Sequence, residues 1–408
     1  MRSVSARLVP LGRWTGAALL ALGVGLASAR AGAEPRVVAV GDVHGDLSAF
    51  RAILAQAGLI REDGSWSGGD AVLVQLGDLI DRGPSTRGVL DFTMTLEKDA
   101  AKSGGSVVVL LGNHEVMNLT GDLRYVPAES FAEFADAGSA KRREEAWTSL
   151  QAYVLRRAGE LGRPGVRVGP DEKDAWLAAH PPGFLERQEA FGPDGVYGRW
   201  LREKSAVRVV EKTAFVHGGV SPGFAKTPLP ELDRLVRSDL ALFDAERREF
   251  VRDGLILPFF DFVETTRAVR EQLDALGASG TESERRTSYQ KFLDFGRWTM
   301  NSEDGPLWFR GYDRWTDAEG AVQMPPLLSA DGVERFVVGH TVQRGGRVRA
   351  RFDNRVFLID TGMLDSKFFP GGRASALEMS DGAIDVLYPG EKPKALQPAP
   401  VRKAASLR

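Results

Sequence analysis

Three stretches of this chain run a β-branched apolar segment straight into a turn of glycine and polar residues. They are RVVAVGDVHGD from Arg36, AVLVQLGDLIDRG from Ala71 and SVVVLLGNHE from Ser106. The apolar runs lack the alternation of a sheet with one wet face, so they are expected as strands covered on both sides. Helical spacings lie between them. Leu47, Phe50, Ile53 and Leu54 follow the first turn. Val89, Phe92 and Leu96 follow Pro84, whose ring suits a first helical turn, and Gly104-Gly105 ends that pattern. The order is β-α-β-α-β, an α/β class of fold. It gathers the polar turns at the carboxyl ends of the strands, where open α/β sheets keep their sites.

The second half has another texture. SAVRVVEKTAFVHGG, ERFVVGHT, RVRARFDNRVFLIDTG and SALEMSDGAIDVLYPG read as strands and hairpins that add a second sheet. Two insertions, about 118–204 and 224–306, read as mostly helical. The first 33 residues stand apart. Arg2, Arg7 and Arg13, an apolar run from Thr15 to Ala29 and the close Ala31-Gly32-Ala33 make a secretory signal peptide, with a retained membrane anchor as the alternative. The expectation is an exported, periplasmic protein with no stable membrane anchor after cleavage. Its body would occupy 34–389, and the basic, proline-rich tail 390–408 is expected to be disordered. The chain has no cysteine, so export brings no disulfides and the fold must rest on its core or on metal. Net charge is −2. Without the leader's arginines and the basic tail the body is clearly acidic, which argues against a nucleic-acid partner.

The turns hold the chemistry. Four of the chain's five histidines sit at strand ends. The motifs are GDVHG with Asp42 and His44, GDLIDRG with Asp78, Asp81 and Arg82, GNHE with Asn113 and His114, VHGG with His217 and VGHT with His340. Imidazole, carboxylate and amide oxygen without sulfur form a donor set for a divalent ion such as Mn, Fe or Zn. The donors are too many for one ion that keeps an open position. Two ions sharing a carboxylate would use them, and such a pair can clamp the attacking and leaving oxygens of a phosphoryl displacement. Arginine suits the phosphate because its planar fork gives two parallel hydrogen bonds.

The ordered set GDVHG, GDLIDRG, GNHE, HGG and GH resembles the metallophosphoesterases of the phosphoprotein phosphatase type. GNHEVMNLTGDLRYV and GPLWFRGY are similar to their bacterial, Shewanella-like branch. The resemblance implies a calcineurin-like fold, a two-sheet β-sandwich core flanked by helices, with the helical insertions forming a cap. It implies two divalent metal ions, the first on Asp42, His44 and Asp78, the second on Asp78 as a bridge with Asn113, His217 and His340. His114 would be the general acid, oriented by Asp81, while Arg82 and Arg310 would hold phosphate oxygens. The attacking group would be a metal-bound hydroxide, which removes any need for a nucleophilic side chain. The implied activity is hydrolysis of phosphomonoesters, on a phosphorylated protein or a small phosphomonoester, with phosphotyrosine favoured by some members. A dinucleoside polyphosphate hydrolase, acting for instance on diadenosine tetraphosphate, is the alternative enzyme, since it shares the three leading motifs. A non-catalytic metal-binding exported protein is the alternative outside catalysis, and the completeness of the ligand set speaks against it.

Other residues have plainer readings. His180, in AAHPPGF, is expected in a surface loop. Asp46 and Glu115 are expected as a helix N-cap or as groups behind the ligands. Asp360, in LIDTG, either supports a ligand histidine or is a turn residue. Arg347, Arg349 and Arg351 alternate with Val348, Ala350 and Phe352, as on a strand with a solvated face. Most aromatics of the first insertion must hold its own core together. Arg124 and Tyr125, close after GNHE, are the candidates to wall a cleft for a phosphotyrosine ring.

Overall fold

A computed structural model describes residues 35–276 and 281–399; the leader expected over 1–33 lies outside the described residues. Strands β1 (Val37–Val40), β2 (Val72–Gln75) and β3 (Ser106–Val109) run parallel, with Val38, Leu73 and Val107 in register. Helices α1 (Leu47–Gln56), α2 (Thr86–Lys102) and α3 (Asn113–Thr120) follow them in turn. The apolar runs are unbroken because both faces are covered. Val38 and Val40 join a cluster with Phe50, Ile53, Leu54, Val89 and Leu96, while Val37 and Ala39 turn to the opposite face. Each such fully buried side chain stabilises the fold by roughly 1.5–3 kcal/mol.

That opposite face meets a second sheet. β4 (Val207–Val210), β5 (Thr213–Val216), β6 (Arg335–Val338), β7 (Arg349–Arg351) and β8 (Val356–Leu358) assemble in the order β4-β5-β6-β8-β7. Phe215, Val337 and Phe357 point inward to Val37, Ala39 and Val74 and form the sandwich filling. The outward residues Ala214, Phe336 and Val356 belong to the outer, helix-lined cluster. The architecture is therefore two mixed sheets with helices outside each.

Two expectations are corrected here. The hairpin SALEMSDGAIDVLYPG forms β9 (Ala376–Ser380) and β10 (Ala383–Leu387), yet it does not extend the second sheet. β9 pairs antiparallel with β1, Val38 facing Glu378, and so completes the first. Alternation locates a strand but carries no information about which free edge it will meet. Of the tail 390–408, expected to be disordered, the stretch 390–399 supplies β11 (Lys394–Gln397), which pairs with β10 while Leu396 packs on the sandwich filling, and 400–408 lie outside the described residues. Lysine and proline marked disorder in the sequence, but they are equally the residues that protect an edge strand.

The first insertion folds as α4 (Ala128–Ala132), α5 (Ser139–Glu160), α6 (Pro170–Ala179), α7 (Phe184–Phe191) and α8 (Val196–Arg202). The second supplies α9 (Leu229–Arg252), α10 (Phe262–Ala275) and α11 (Thr281–Leu293). Short α12 (Gly311–Arg314) and then α13 (Asp317–Ser329) lead into β6. His180 is not on the surface, in contrast to its sequence reading. It ends α6, its ring stacks on Trp176 at 4.4 Å between centroids, and its Nδ1 lies 2.8 Å from the Trp176 carbonyl.

The other face of His180 looks toward Glu264 on α10, 4.0 Å away, so the pair joins the two insertions. Burial pushes the Glu264 carboxyl up from its ordinary 4.5 to about 7. A carboxyl that holds its proton more tightly in the folded state adds stability below its unfolded pKa, and that stability is lost as pH rises through the folded value. Glu264→Gln is thus expected to raise the melting temperature by a few degrees at pH 8 and to leave it unchanged near pH 4.5. Thermal unfolding at the two pH values checks this; equal shifts at both would show that the carboxyl is not the cause.

Candidate metal centre

The site begins with backbone strain. His44 (φ 49°), Asp78 (φ 54°), Asp81 (φ 70°), Arg82 (φ 66°) and His340 (φ 62°) all occupy the left-handed region, which non-glycine residues seldom enter. Neighbouring contacts hold them there. The backbone N–H groups of Val43 and His44 both donate to the Asp78 carbonyl, at 2.9 Å each. From behind, the Glu115 carboxyl accepts from the N–H groups of Asp78 (2.7 Å), Leu79 (2.8 Å) and Gly112 (2.8 Å). Glu115 thus locks the second and third turns together, as a group behind the ligands, and Asp46 caps α1 by accepting from the Ala49 N–H. Glycine is obligatory at position 77, where φ is +91° and a Cβ would overlap the backbone of Gly112.

The four histidines of the motifs converge, and each has one ring nitrogen engaged away from the centre. His44 Nδ1 donates to the Ile80 carbonyl (3.1 Å), His217 Nδ1 to the Leu76 carbonyl (2.8 Å) and His340 Nε2 to the Trp308 carbonyl (3.2 Å). A backbone carbonyl can only accept, so each of these rings, when neutral, keeps a lone pair on its other nitrogen. His114 differs. Its Nδ1 lies 2.7 Å from the Asp81 carboxylate, and its Nε2 is buried with no partner. The ligand atoms of His44, Asp78 and His114 all lie within 4.8 Å of one another, and so do those of Asp78, His217 and His340. Asp78 belongs to both groups. Asn113 Oδ1 lies 3.0 Å from His217 Nε2, and Asp42 Oδ2 lies 3.8 Å from His44 Nε2.

The electrostatics of the cluster suit a divalent cation. Burial works against charge on Asp78, but His217 and His114 outweigh it and hold the carboxyl well below the usual carboxylate range. Burial likewise opposes charge on His217, while Asp78 and Asp42 push it up to about 9. Asp42 shifts the other way, raised by burial and by the nearby charges of Asp360 and Asp78. Its Oδ2 has no hydrogen-bond partner. Burial lowers His44 and His340, keeping their imidazoles neutral as metal ligands must be. Crowded carboxylates, neutral imidazoles and orphaned oxygen and nitrogen atoms together fit divalent ions.

The calcineurin-like phosphoesterase family profile matches residues 35–344, most of the chain and every one of these turns. The chain belongs to that family. Shewanella-like protein phosphatase 2 of Arabidopsis thaliana is 32% identical over 210 residues, 50% of this chain and 51% of that protein. Shewanella-like protein phosphatase 1 of Plasmodium berghei is 24% identical over 331 residues, 80% of this chain and 67% of that protein. The chain thus spans about half the length of the first of these relatives. Both carry the Shewanella-like name, in line with the branch read from the sequence. The solved structure of a cold-active protein-tyrosine phosphatase from a psychrophilic Shewanella is similar in fold, with a TM-score of 0.56 and 24% identity over 89% of this chain and 81% of that one. Phosphoester hydrolysis is the chemistry that the family's description carries.

In this phosphoesterase Arg82 stands at the mouth of the site. Its Nη1 lies 2.6 Å from His44 Nε2, and its guanidinium is flanked by the rings of Tyr125 (5.3 Å) and Phe369 (5.1 Å). Arg310 is drawn in through the other sheet, its Nη1 donating to the His340 carbonyl (2.8 Å) and to Thr341 Oγ1 (3.2 Å). Asp360 supports no histidine; it accepts from the Gly362 N–H within its own turn and lies beside Asp42. Arg349 and Arg351 lie on edge strand β7 and are tied to Asp313 and Asp317, a partnered rather than bare solvated face. Of Arg124 and Tyr125, only Tyr125 reaches the site; Arg124 pairs with Asp122. Sequence reasoning missed Phe369, Asn118, Arg187 and the carbonyl of Trp308. Asn118 directly extends the GNHE helix and its spacing of four from His114 was readable. The other three carry no local signal.

Proposed function

We propose that this protein is an exported, two-metal phosphomonoesterase that acts on phosphorylated protein, with phosphotyrosine as its preferred residue. Asp42, His44 and Asp78 would hold one ion, and Asp78, Asn113, His217 and His340 the other. Two divalent ions, when bound, polarise the phosphoryl oxygens and activate a water for attack. The observation that carries the reading is the contrast among the imidazoles. Three are oriented by backbone carbonyls and, as neutral rings, would offer a lone pair to an ion, whereas His114 is oriented by a carboxylate. Asp81 fixes the proton on His114 Nδ1 when the ring is neutral, and stabilises the ring when Nε2 is protonated as well. In that state Nε2 can hand its proton to the departing ester oxygen. Arg82 donates toward His44 Nε2; were that imidazole to hold an ion, the same guanidinium would be free to take a phosphate oxygen.

The aromatic rim supports an aryl ester. Tyr125 is 39% exposed, its ring centroid lies 5.1 Å from that of His114, and Phe369 stacks on His44 at 5.4 Å. A phenyl ring leaving from phosphorus would meet these two aromatic side chains at the rim, and each such contact contributes about 0.5–1.5 kcal/mol. Tyr125→Ala and Phe369→Ala are each expected to raise KM for a phosphotyrosine peptide by up to about tenfold. KM for a phosphoserine peptide should move far less, and equal changes for both peptides would remove the rim from the specificity argument.

The test of the whole reading is an assay of the chain from Glu34 after metal stripping and Mn²⁺ reloading. Matched phosphotyrosine, phosphoserine and phosphothreonine peptides would be compared with diadenosine tetraphosphate. Metal-dependent turnover fastest on phosphotyrosine is expected. Preference for the dinucleotide would keep the metal centre and overturn the substrate.

A further inference from the structure

Behind the Asp81–His114 pair lies an arginine that no motif announces. Arg187, on α7 of the first insertion, is 0% exposed. Its guanidinium carbon lies 4.5 Å from the centroid of Phe191, 5.7 Å from Phe131 and 5.9 Å from Phe134. A residue that served only to fill a pocket of three phenylalanines would be apolar, because burying a cation is costly unless an opposite charge compensates it. Burial lowers Arg187 to about 10, so it stays charged at neutral pH, and the carboxylates of Asp81 and Glu133 favour that charge. Asp81 Oδ1 lies 3.8 Å from Arg187 Nη2 and has no hydrogen-bond partner of its own.

The connection runs through one amide. Arg187 Nη2 donates to Asn118 Oδ1. On its other side, Asn118 Nδ2 donates to Asp81 Oδ2 (2.9 Å) and to the His114 carbonyl (2.8 Å). An asparagine amide has one accepting and one donating end. Turned over, it would set its oxygen against two acceptors and its NH₂ against a guanidinium. Arg187 and the two acceptors thus hold the amide from opposite ends, the amide holds Asp81 Oδ2, and that same oxygen receives His114 Nδ1–H at 2.7 Å. The result is a four-residue chain from the cap to His114, whose Nε2 is buried without a hydrogen-bond partner.

We propose that Arg187 is a positioning residue for proton donation: acting through Asn118, it holds Asp81 and hence aims His114 at the leaving oxygen. This rests on the reading of His114 as the proton donor. It gives the first insertion a part in the chemistry that its sequence did not reveal. It also separates two effects that a structural residue would merge, since a misaimed donor harms poor leaving groups and spares good ones.

The experiment uses the Mn²⁺-loaded chain and a series from p-nitrophenyl phosphate through phenyl phosphate to a phosphoserine peptide, with kcat, KM and metal content recorded for each variant. Arg187→Met is expected to lower kcat on the phosphoserine peptide by about tenfold to a hundredfold and on p-nitrophenyl phosphate by less than about threefold. KM and metal content should hold. Arg187→Lys, which keeps the charge but not the fork, should recover part of the loss. Added to His114→Asn, Arg187→Met should cost nothing further, because the donor it aims is already gone. Equal losses along the series, or a further loss in the His114→Asn background, would overturn the proposal. If Arg187→Met does not fold, Asn118→Asp decides, since aspartate cannot donate to Asp81; a uniform loss there is equally fatal. A flat leaving-group dependence in His114→Asn alone would instead bring down the proton-donor reading, and this proposal with it.

Discussion

Replacing Asp78 with asparagine is expected to lower kcat by on the order of a thousandfold or more, and to reduce metal content at both positions at once. The geometry explains why one atom-for-atom exchange should do so much. Asp78 Oδ1 lies 3.3 Å from His217 Nε2, whereas Oδ2 lies 3.8 Å from His44 Nε2. One carboxylate therefore faces both groups of donors. Asparagine offers oxygen to only one of them and removes the negative charge from both. Its remaining oxygen can still accept the His114 N–H, which Asp78 Oδ1 now does at 3.0 Å, so the turn itself should survive. Metal-to-protein ratio and kcat on p-nitrophenyl phosphate are the measurements. A variant that retains two ions per chain would remove the bridging role, whatever its rate.

The second large effect belongs to His114. His114→Asn should slow phosphoserine cleavage by about 10² to 10⁴, the usual worth of a positioned general acid, and phosphotyrosine cleavage by much less. The reason lies in the leaving group. A phenol of pKa ~10 departs as a tolerable anion, while a serine alkoxide is far more basic and needs the proton. The metal content of this variant carries separate information, because His114 Nε2 also lies within reach of His44 and Asp78. Full occupancy with a leaving-group-dependent loss is expected of a donor. Lost metal with equal losses on both substrates would make His114 a ligand instead.

Much of this was legible before any coordinates. The runs VVAV, VLVQ and VVVL had to be buried strands because they lacked a polar face, and both faces are indeed covered. The histidines at strand ends were conspicuous because a turn is an odd place to repeat imidazole beside carboxylate. What stayed hidden shares one cause: it depends on contacts between residues distant in sequence. β9 completes the first sheet by finding the free edge of β1, about 340 residues upstream. His180 looked exposed because the turn-forming Pro181, Pro182 and Gly183 follow it, yet it is covered by Trp176 and Phe184. Arg187, in FLERQEAF, has the composition of any wet helix. Phe369 reaches His44 only because the chain after β8 folds back over the mouth of the site.

The left-handed turns have a consequence beyond aiming side chains. Five site residues sit on backbone that costs of order 1–3 kcal/mol each to maintain, and the surrounding sheets meet that cost as the chain folds. An ion arriving afterwards has little left to arrange, so the ordering that ordinarily weakens ion capture is complete before capture begins. Metal retention would in that sense be a property of folding. Substitutions that loosen the turns from a distance, such as a change at Glu115, should register first as ions lost to a chelator and only later as a lower melting temperature.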